Sequence, residues 1–441
     1  MMDPSVVGIL GIILLLALLV VGVHIGVALG LVGIIGSALI VGFEASVYSS
    51  VSNIYHKIAS YELITIPLFI LMGYMASGGG ISEKTYKTLN AWVGKIRGGI
   101  GISTVFACTA FGAVCGSSMV TAAVFARLCA PEMRKHGYDK KLAYGICAAG
   151  GVIGMLIPPS IVMVIYGVMA GESTGKLLIA GITPGLLLTV LFSVLIVIIS
   201  RLKNSLVHPD DHPVEYTWKE KFKLLGNIWQ VLLVAVILFG GIFGGVFNPT
   251  EAAAVVTVVL MVLLVMSKWC ESGAIFKESF RETGSTTAMI FLVMGSATVF
   301  SQFLVLTGIT ERIVSFVIGA DLSPILFILL VVATYMLLGC LLDSISMLCI
   351  TIPLFNPIVY QLGIDPIWYA VIVVLTIHAG LITPPVGLNV YATYAVAEKD
   401  VTLEEIFYGV LPFAIAMLVA IGIVIYWPSL STFLPELMLA K

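Results

Sequence analysis

Charge is the scarcest commodity in this chain. Lys and Arg number 22 and Asp and Glu 24 among 441 residues, a formal net charge of −2. So small and balanced a set gives no basic face for nucleic acid. Nor can it solvate the exterior of a soluble protein in which 60% of residues are hydrophobic. The nucleotide-binding signature G-x-x-x-x-G-K-[ST] is missing, because Gly94-Lys95 is followed by Ile96 and Gly175-Lys176 by Leu177, where a hydroxyl is needed. With no recognisable ATP cradle, any energy-requiring work is expected to draw on a gradient, and no organic cofactor is expected. H-E-x-x-H is missing too, which removes an intramembrane metalloprotease. The seven cysteines are scattered through apolar runs and read as small core residues. Met1-Met2-Asp3-Pro4-Ser5 has no basic lead and no cleavage site, so the first apolar run is expected to be retained.

What remains is a chain of long apolar runs, which belongs to the polytopic membrane class. Val6–Gly42 is too long for one ordinary span and fits either two spans turning near His24-Ile25-Gly26 or one tilted helix. A polar segment, Phe43–Lys57, precedes an apolar helix over Ile58–Ser77, and Ser82–Arg97 reads as an amphipathic surface helix. The apolar stretch Gly98–Pro131 has basic loops on both sides, with Lys95 and Arg97 before it and Arg134, Lys135, Lys140 and Lys141 after it. A single span would put those loops on opposite faces, whereas a re-entrant hairpin with its tip at Gly116-Ser117-Ser118 keeps both in the cytoplasm. Arg127 lies toward the cytoplasmic end of that hairpin and is expected to snorkel.

A prolyl pair then interrupts each of two apolar segments: Gly154-Met155-Leu156-Ile157-Pro158-Pro159-Ser160 and Gly380-Leu381-Ile382-Thr383-Pro384-Pro385-Val386. Proline gives the helix no N–H and clashes with the preceding turn, so each pair should break its helix over 142–170 and 366–397 and strand several carbonyls. One such pair alone reads as a kink. The duplication changes that. Adding 226 carries Pro131 to Pro357, Gly137 to Gly363, Asp139 to Asp365, Gly154 to Gly380 and Pro158-Pro159 to Pro384-Pro385.

The second hairpin is therefore Leu322–Gln361, with its tip at Asp343-Ser344-Ile345-Ser346, between loops that carry acid and no base. Between the hairpins, the loop 201–226 is basic, Asn248-Pro249-Thr250-Glu251 suits a helix start, one helix returns to Lys268, Lys277 and Arg281, and Thr286–Thr307 goes out again. An odd number of spans between the copies inverts the second. The expected organisation is all-α, with scaffold helices in 1–57, a first inverted repeat in 58–185 (hairpin 98–131), scaffold in 186–285, a second repeat in 286–413 (hairpin 322–361), and the end of the last helix with the tail in 414–441.

Hydroxyl-bearing tips facing freed carbonyls make uncharged oxygen cages that suit Na⁺, and half-helix N-termini offer N–H groups to a carboxylate. Asp343 fits a cation ligand, a proton carrier or an N-cap. Ser117 and Ser118 also fit plain packing residues. His378 reads as a buried, hydrogen-bonded structural histidine, with proton coupling as the lesser option. His208 and His212 read as loop residues. A serine hydrolase using Ser117 or Ser118 with His378 leaves the duplication without a purpose.

Leu156-Ile157-Pro158-Pro159-Ser160 with Tyr166-Gly167 and Ala180-Gly181, together with Leu381 to Asn389 and Asn248 to Ala253, resembles the large membrane subunit of the tripartite ATP-independent periplasmic transporters over nearly the whole length. At Gly22-Val23-His24-Ile25-Gly26 the proline usual in the family is absent. The resemblance implies a multi-pass protein of a bacterial or archaeal inner membrane, working as a Na⁺ symporter by an elevator motion. It also implies a small four-helix membrane subunit and a soluble periplasmic binding protein that hands over an organic carboxylate such as a C4-dicarboxylate or sialic acid. By position in the motifs, one Na⁺ cage would involve Ser117, Ser118, Ile157 and Pro158, and the other Asp343, Ser346, Thr383 and Pro384. The carboxylate would lie among Gly116, Ser117, Ser160, Ser344, Gly387 and Asn389. The alternative within the wider ion-transporter superfamily is a stand-alone Na⁺/dicarboxylate symporter that needs no partner.

Overall fold

A computed structural model describes residues 3–202, 216–268, 270–339 and 342–439. All regular elements among them are helices. The histidines at 208 and 212 and half of the basic loop 201–226 lie outside the described residues, as do positions 340 and 341 just before the second tip.

The N-terminal apolar run forms two helices, Pro4–Val20 and Ile25–Val41, and the turn between them is closed by His24, whose Nδ1 accepts the Gly26 N–H at 3.2 Å. Phe43–Ile58, expected only as a polar segment, is helical, and the apolar helix after it starts later than its hydropathy implied, at Thr65 behind a 3₁₀ turn over Tyr61–Ile64. These N-terminal helices pack against Ser272–Thr307, a single helix of 36 residues. Lys277 and Arg281 therefore sit within a helix and not in a loop. At 1.5 Å per residue such a helix is about 54 Å long, well beyond the roughly 30 Å of hydrocarbon, so its charged first turns can lie outside the bilayer. Asn248 starts Pro249–Ser267 with a capping box: its Oδ1 accepts the Glu251 N–H and Glu251 accepts the Asn248 N–H, each at 2.9 Å.

Among the described residues, seven helices are long and apolar enough to cross a membrane, including Thr174–Leu202, Pro249–Ser267 and Leu403–Tyr426. Exposed Ile9, Leu10 and Ile13 on the first helix have the character of a lipid-facing surface.

The element order recurs at the offset seen in the sequence. The hairpin arms Gly99–Cys115 and Ser118–Lys135 precede Lys140–Ile153, a break and Ile161–Ala170; later, Pro324–Gly339 and Ser344–Gln361 precede Pro366–Gly380, a break and Leu388–Tyr394. Ser117 and Asp343, 226 residues apart, both cap the second arm of their hairpin, and Asp139 and Asp365 both cap the helix that follows. The helices before the breaks have 14 and 15 residues, about 21 and 23 Å, so neither half spans alone.

Each hairpin crosses its broken helix at a pair of glycines. A Cβ on Gly112 would fall 2.0 Å from the Gly154 Cα, and one on Gly380 would fall 2.7 Å from the Gly339 Cα. Backbones this close leave no room for a methyl group, and the close approach brings each hairpin down on the turn just before its prolines.

Candidate functional site

The chain opens at both prolyl pairs. Pro158-Pro159 and Pro384-Pro385 are cis peptides, and helix is interrupted between Ile153 and Ile161 and between Gly380 and Leu388. Backbone N–H groups through this first gap still reach back, as Ile157 does to the Ile153 carbonyl, but among the described residues no group donates to the carbonyls of residues 154–159. In the second gap Leu381 accepts from the Asn389 N–H at 3.1 Å, whereas the carbonyls of residues 382–386 receive no donor among the described residues. Ile157, Pro158 and Ser160 are buried, so the stranded oxygens of the first gap lie inside protein; at the second, Thr383 is half-buried and Pro384 is exposed. Buried carbonyls without donors are costly unless a cation or water meets them.

Against the first gap sits the tip of the first hairpin. Its turn is two residues long: Gly116 ends one arm in the left-handed region at φ +65°, and Ser117 begins the next by accepting the Val120 N–H at 3.4 Å. A Cβ on Gly116 would lie 2.4 Å from the Pro159 carbonyl oxygen, so only glycine lets the tip approach the break. Ser118 reaches the other repeat, donating to Asn389 Oδ1 at 2.9 Å, while Asn389 Nδ2 faces the Ala148 carbonyl at 3.4 Å. Gly116, Ser117, Ser118 and Asn389 thus form one connected corner. Ser160 caps Ile161–Ala170 through the Met163 N–H at 3.2 Å.

The second tip is a variation on the first. The Asp343 carboxylate accepts the Ile345 and Ser346 N–H groups at 3.0 and 3.2 Å and also the Ser346 hydroxyl. Of the three roles open for Asp343, capping is the one these bonds display. Among the described residues, Asp343 and Ser346 side chains hydrogen-bond within their own tip, and Thr383 donates back to the Ala379 carbonyl at 2.7 Å. Gly387, in the left-handed region, starts Leu388–Tyr394 beneath the Phe407 ring. The first tip is therefore packed against the first break at Gly116 and hydrogen-bonded to the start of the helix after the second through Ser118, whereas among the described residues no hydrogen bond joins the second tip to either break.

His378 departs from expectation. It is fully buried, yet neither ring nitrogen has a hydrogen-bond partner among the described residues, so it is not the satisfied histidine expected. Neither Ser117 nor Ser118 bonds to it, which leaves the hydrolase reading without a base.

Two features were not foreseen from the sequence. The first is Asn389 as a bridge across 271 positions. The second is a charged clasp outside the apolar region: Arg134 grips Asp400 with two bonds of 3.0 and 2.7 Å and also Glu398, while Lys140 pairs with Glu405 at 3.0 Å and donates to the Asp400 carbonyl at 2.6 Å. The clasp ties the first hairpin and first broken helix to the loop after the second. Arg134 holds the Asp400 carboxyl below its usual range. Carboxyls depressed in the folded state favour folding above their ordinary values, and that contribution is lost as pH falls through the depressed ones. Spin labels at Lys135 and Lys399 should report one unchanged distance from about pH 8 to pH 5 and a broadened one only below about pH 4.

The profile of the tripartite ATP-independent periplasmic transporter family, DctM component, matches residues 12–430. The chain belongs to this family. It is 37% identical over 407 residues to the C4-dicarboxylate TRAP transporter large permease protein DctM of Pseudomonas aeruginosa, covering 92% of this chain and 93% of that one. The sialic acid large permease SiaM of Vibrio cholerae is 30% identical, covering 96% and 97%. Among solved structures, the Alcanivorax borkumensis YdaH transporter superposes with a TM-score of 0.66 at 15% identity, over 97% of this chain and 98% of that one, a likeness of fold. As a family member the chain is a multi-pass inner-membrane protein and a transporter, not an enzyme. The family's tripartite design means that a large permease works with other components.

Proposed function

We propose that this chain is a Na⁺-coupled symporter subunit that imports a small organic carboxylate by an elevator motion. The observation that carries the reading is the first tip pressed on the opened carbonyls of the first break. Buried carbonyls and neutral hydroxyls are the ligands a hard monovalent cation prefers. Ser117, Ser118, Ile157 and Pro158 form the first Na⁺ site, and Asp343, Ser346, Thr383 and Pro384 the second. The carboxylate is held among Gly116, Ser117, Ser160, Ser344, Gly387 and Asn389, where helices beginning at Ser118, Ile161, Ser344 and Leu388 turn N-termini toward a negative charge. Cations bound first offset the anion's desolvation, and this couples the two.

The two repeats are inverted in the membrane, one hairpin entering from each face. They move as a block because Ser118–Lys135 packs on both Lys140–Ile153 and Leu388–Tyr394, while the N-terminal helices stay on Ser272–Thr307. The solutes for which these relatives are named, a C4-dicarboxylate and sialic acid, both carry a carboxylate. A periplasmic binding protein delivers the anion, and a small four-helix subunit completes the membrane unit.

The test is reconstitution. The chain with its small subunit and binding protein, in vesicles, should accumulate a ligand of that binding protein only under an inward Na⁺ gradient. Uptake unaffected by replacing Na⁺ with K⁺ would overturn the coupling, and full uptake by the chain alone would favour the stand-alone symporter.

A further inference from the structure

The seam between the second arm of the first hairpin and Thr65–Gly78 holds two cavities one helical turn apart. The smaller, of about 310 Å³, lies at the tip and is lined by Gly73, Tyr74, Ser117 and Val120. The larger, of about 890 Å³ and open to solvent, is lined by Ser77, Val124, Arg127 and Lys268. Ser117, Val120, Val124 and Arg127 recur at helical spacing, so one face of the arm lines both cavities. Opposite it, Gly73, Tyr74 and Ser77 do the same for the facing helix.

The charges at the wide end are unequal. Glu83, which also lines it, is taken by Lys87 at 2.5 Å, and Lys268 is partly neutralised by Glu271 at 3.4 Å. Arg127 has no hydrogen bond or ion pair with any described residue, and it is exposed. A guanidinium that merely snorkelled toward lipid would not need to line a cavity on the same face of the arm as the cavity at the tip.

We propose that this seam is an anion-selective vestibule on the cytoplasmic side, with Arg127 as the group that draws an organic carboxylate out from the tip. The proposal rests on the reading that the transported solute is an anion. Its test does not, since it measures only the field and the path. A cysteine replacing Val124, in a Cys270→Ser background, is exposed to an anionic thiosulfonate (the ethylsulfonate) or a cationic one (the ethyltrimethylammonium) in inside-out and right-side-out membrane vesicles.

Labelling should proceed from the cytoplasmic face. The ratio of anionic to cationic rates should fall about tenfold in Arg127→Gln and recover in Arg127→Lys. Val120→Cys should be reached from the same face, more slowly. A ratio unmoved by Arg127→Gln means the guanidinium serves lipid only and overturns the proposal. So does labelling of Val124→Cys with none at Val120→Cys, because the path is then closed. Loss of Na⁺-driven uptake with these ratios intact would fault the transport reading and leave the vestibule standing.

Discussion

Replacing Gly116 by Ala should all but abolish transport while leaving the protein in the membrane. The left-handed backbone at φ +65° costs an L-residue about 1–2 kcal/mol. The added methyl would also meet the Pro159 carbonyl oxygen at 2.4 Å, a backbone atom that cannot swing aside. Relief requires the tip to withdraw from the break, which separates the Ser117 and Ser118 hydroxyls from the stranded carbonyls. A bias of about 3 kcal/mol against the assembled corner lowers its population, and with it Na⁺ affinity, roughly 100-fold. Gly171→Ala separates strain from clash: its φ is +75°, but nothing lies within 4 Å of the added Cβ. That variant should lose about 1 kcal/mol of stability and keep its uptake. Equal loss of uptake in both would mean that backbone strain alone, and not the approach of tip to break, decides the result.

Asn389 is the second sensitive point. It is buried, accepts from Ser118 and faces the Ala148 carbonyl. Asn389→Ala leaves the buried Ser118 hydroxyl without its partner and removes a second bond to the Ala148 carbonyl, at about 1–3 kcal/mol. Uptake should fall at least about tenfold. Ser118→Ala should cost less on its own, and combining the two should cost less than the sum by about 1 kcal/mol, because one bond is being removed twice. Strict additivity in the apparent Na⁺ affinity would show that the two side chains act separately, and that the repeats are not joined at this corner.

Much of this site was legible in the sequence because its determinants are local. A prolyl pair breaks a helix wherever it stands, so both gaps could be placed from Pro158-Pro159 and Pro384-Pro385. Ser117, Asp343, Asp139 and Asp365 cap helices by bonding two or three residues ahead, which the chain order displays. Contacts between distant segments carry no such mark. The Ser118–Asn389 bond and the Arg134–Asp400 clasp span more than 260 positions, and nothing near either partner announces the other. Lys277 and Arg281 misled for a different reason: charge signals the end of a span, not the end of a helix, and Ser272–Thr307 continues past the apolar window. His378 was expected to find a partner because buried imidazoles usually do.

The central claim is that stranded carbonyls and hydroxyl tips hold sodium, and the most direct measurement is the thermal unfolding midpoint of the purified chain in NaCl against choline chloride at equal ionic strength. A ligand that binds only the folded state raises stability by about 2.7 kcal/mol at 100 times its dissociation constant. The midpoint should rise with NaCl and not with choline, the rise should shrink in Ser118→Ala and separately in Thr383→Ala, and it should nearly vanish when both are changed. A midpoint indifferent to Na⁺, or a full Na⁺ response in the double variant, would contradict the account.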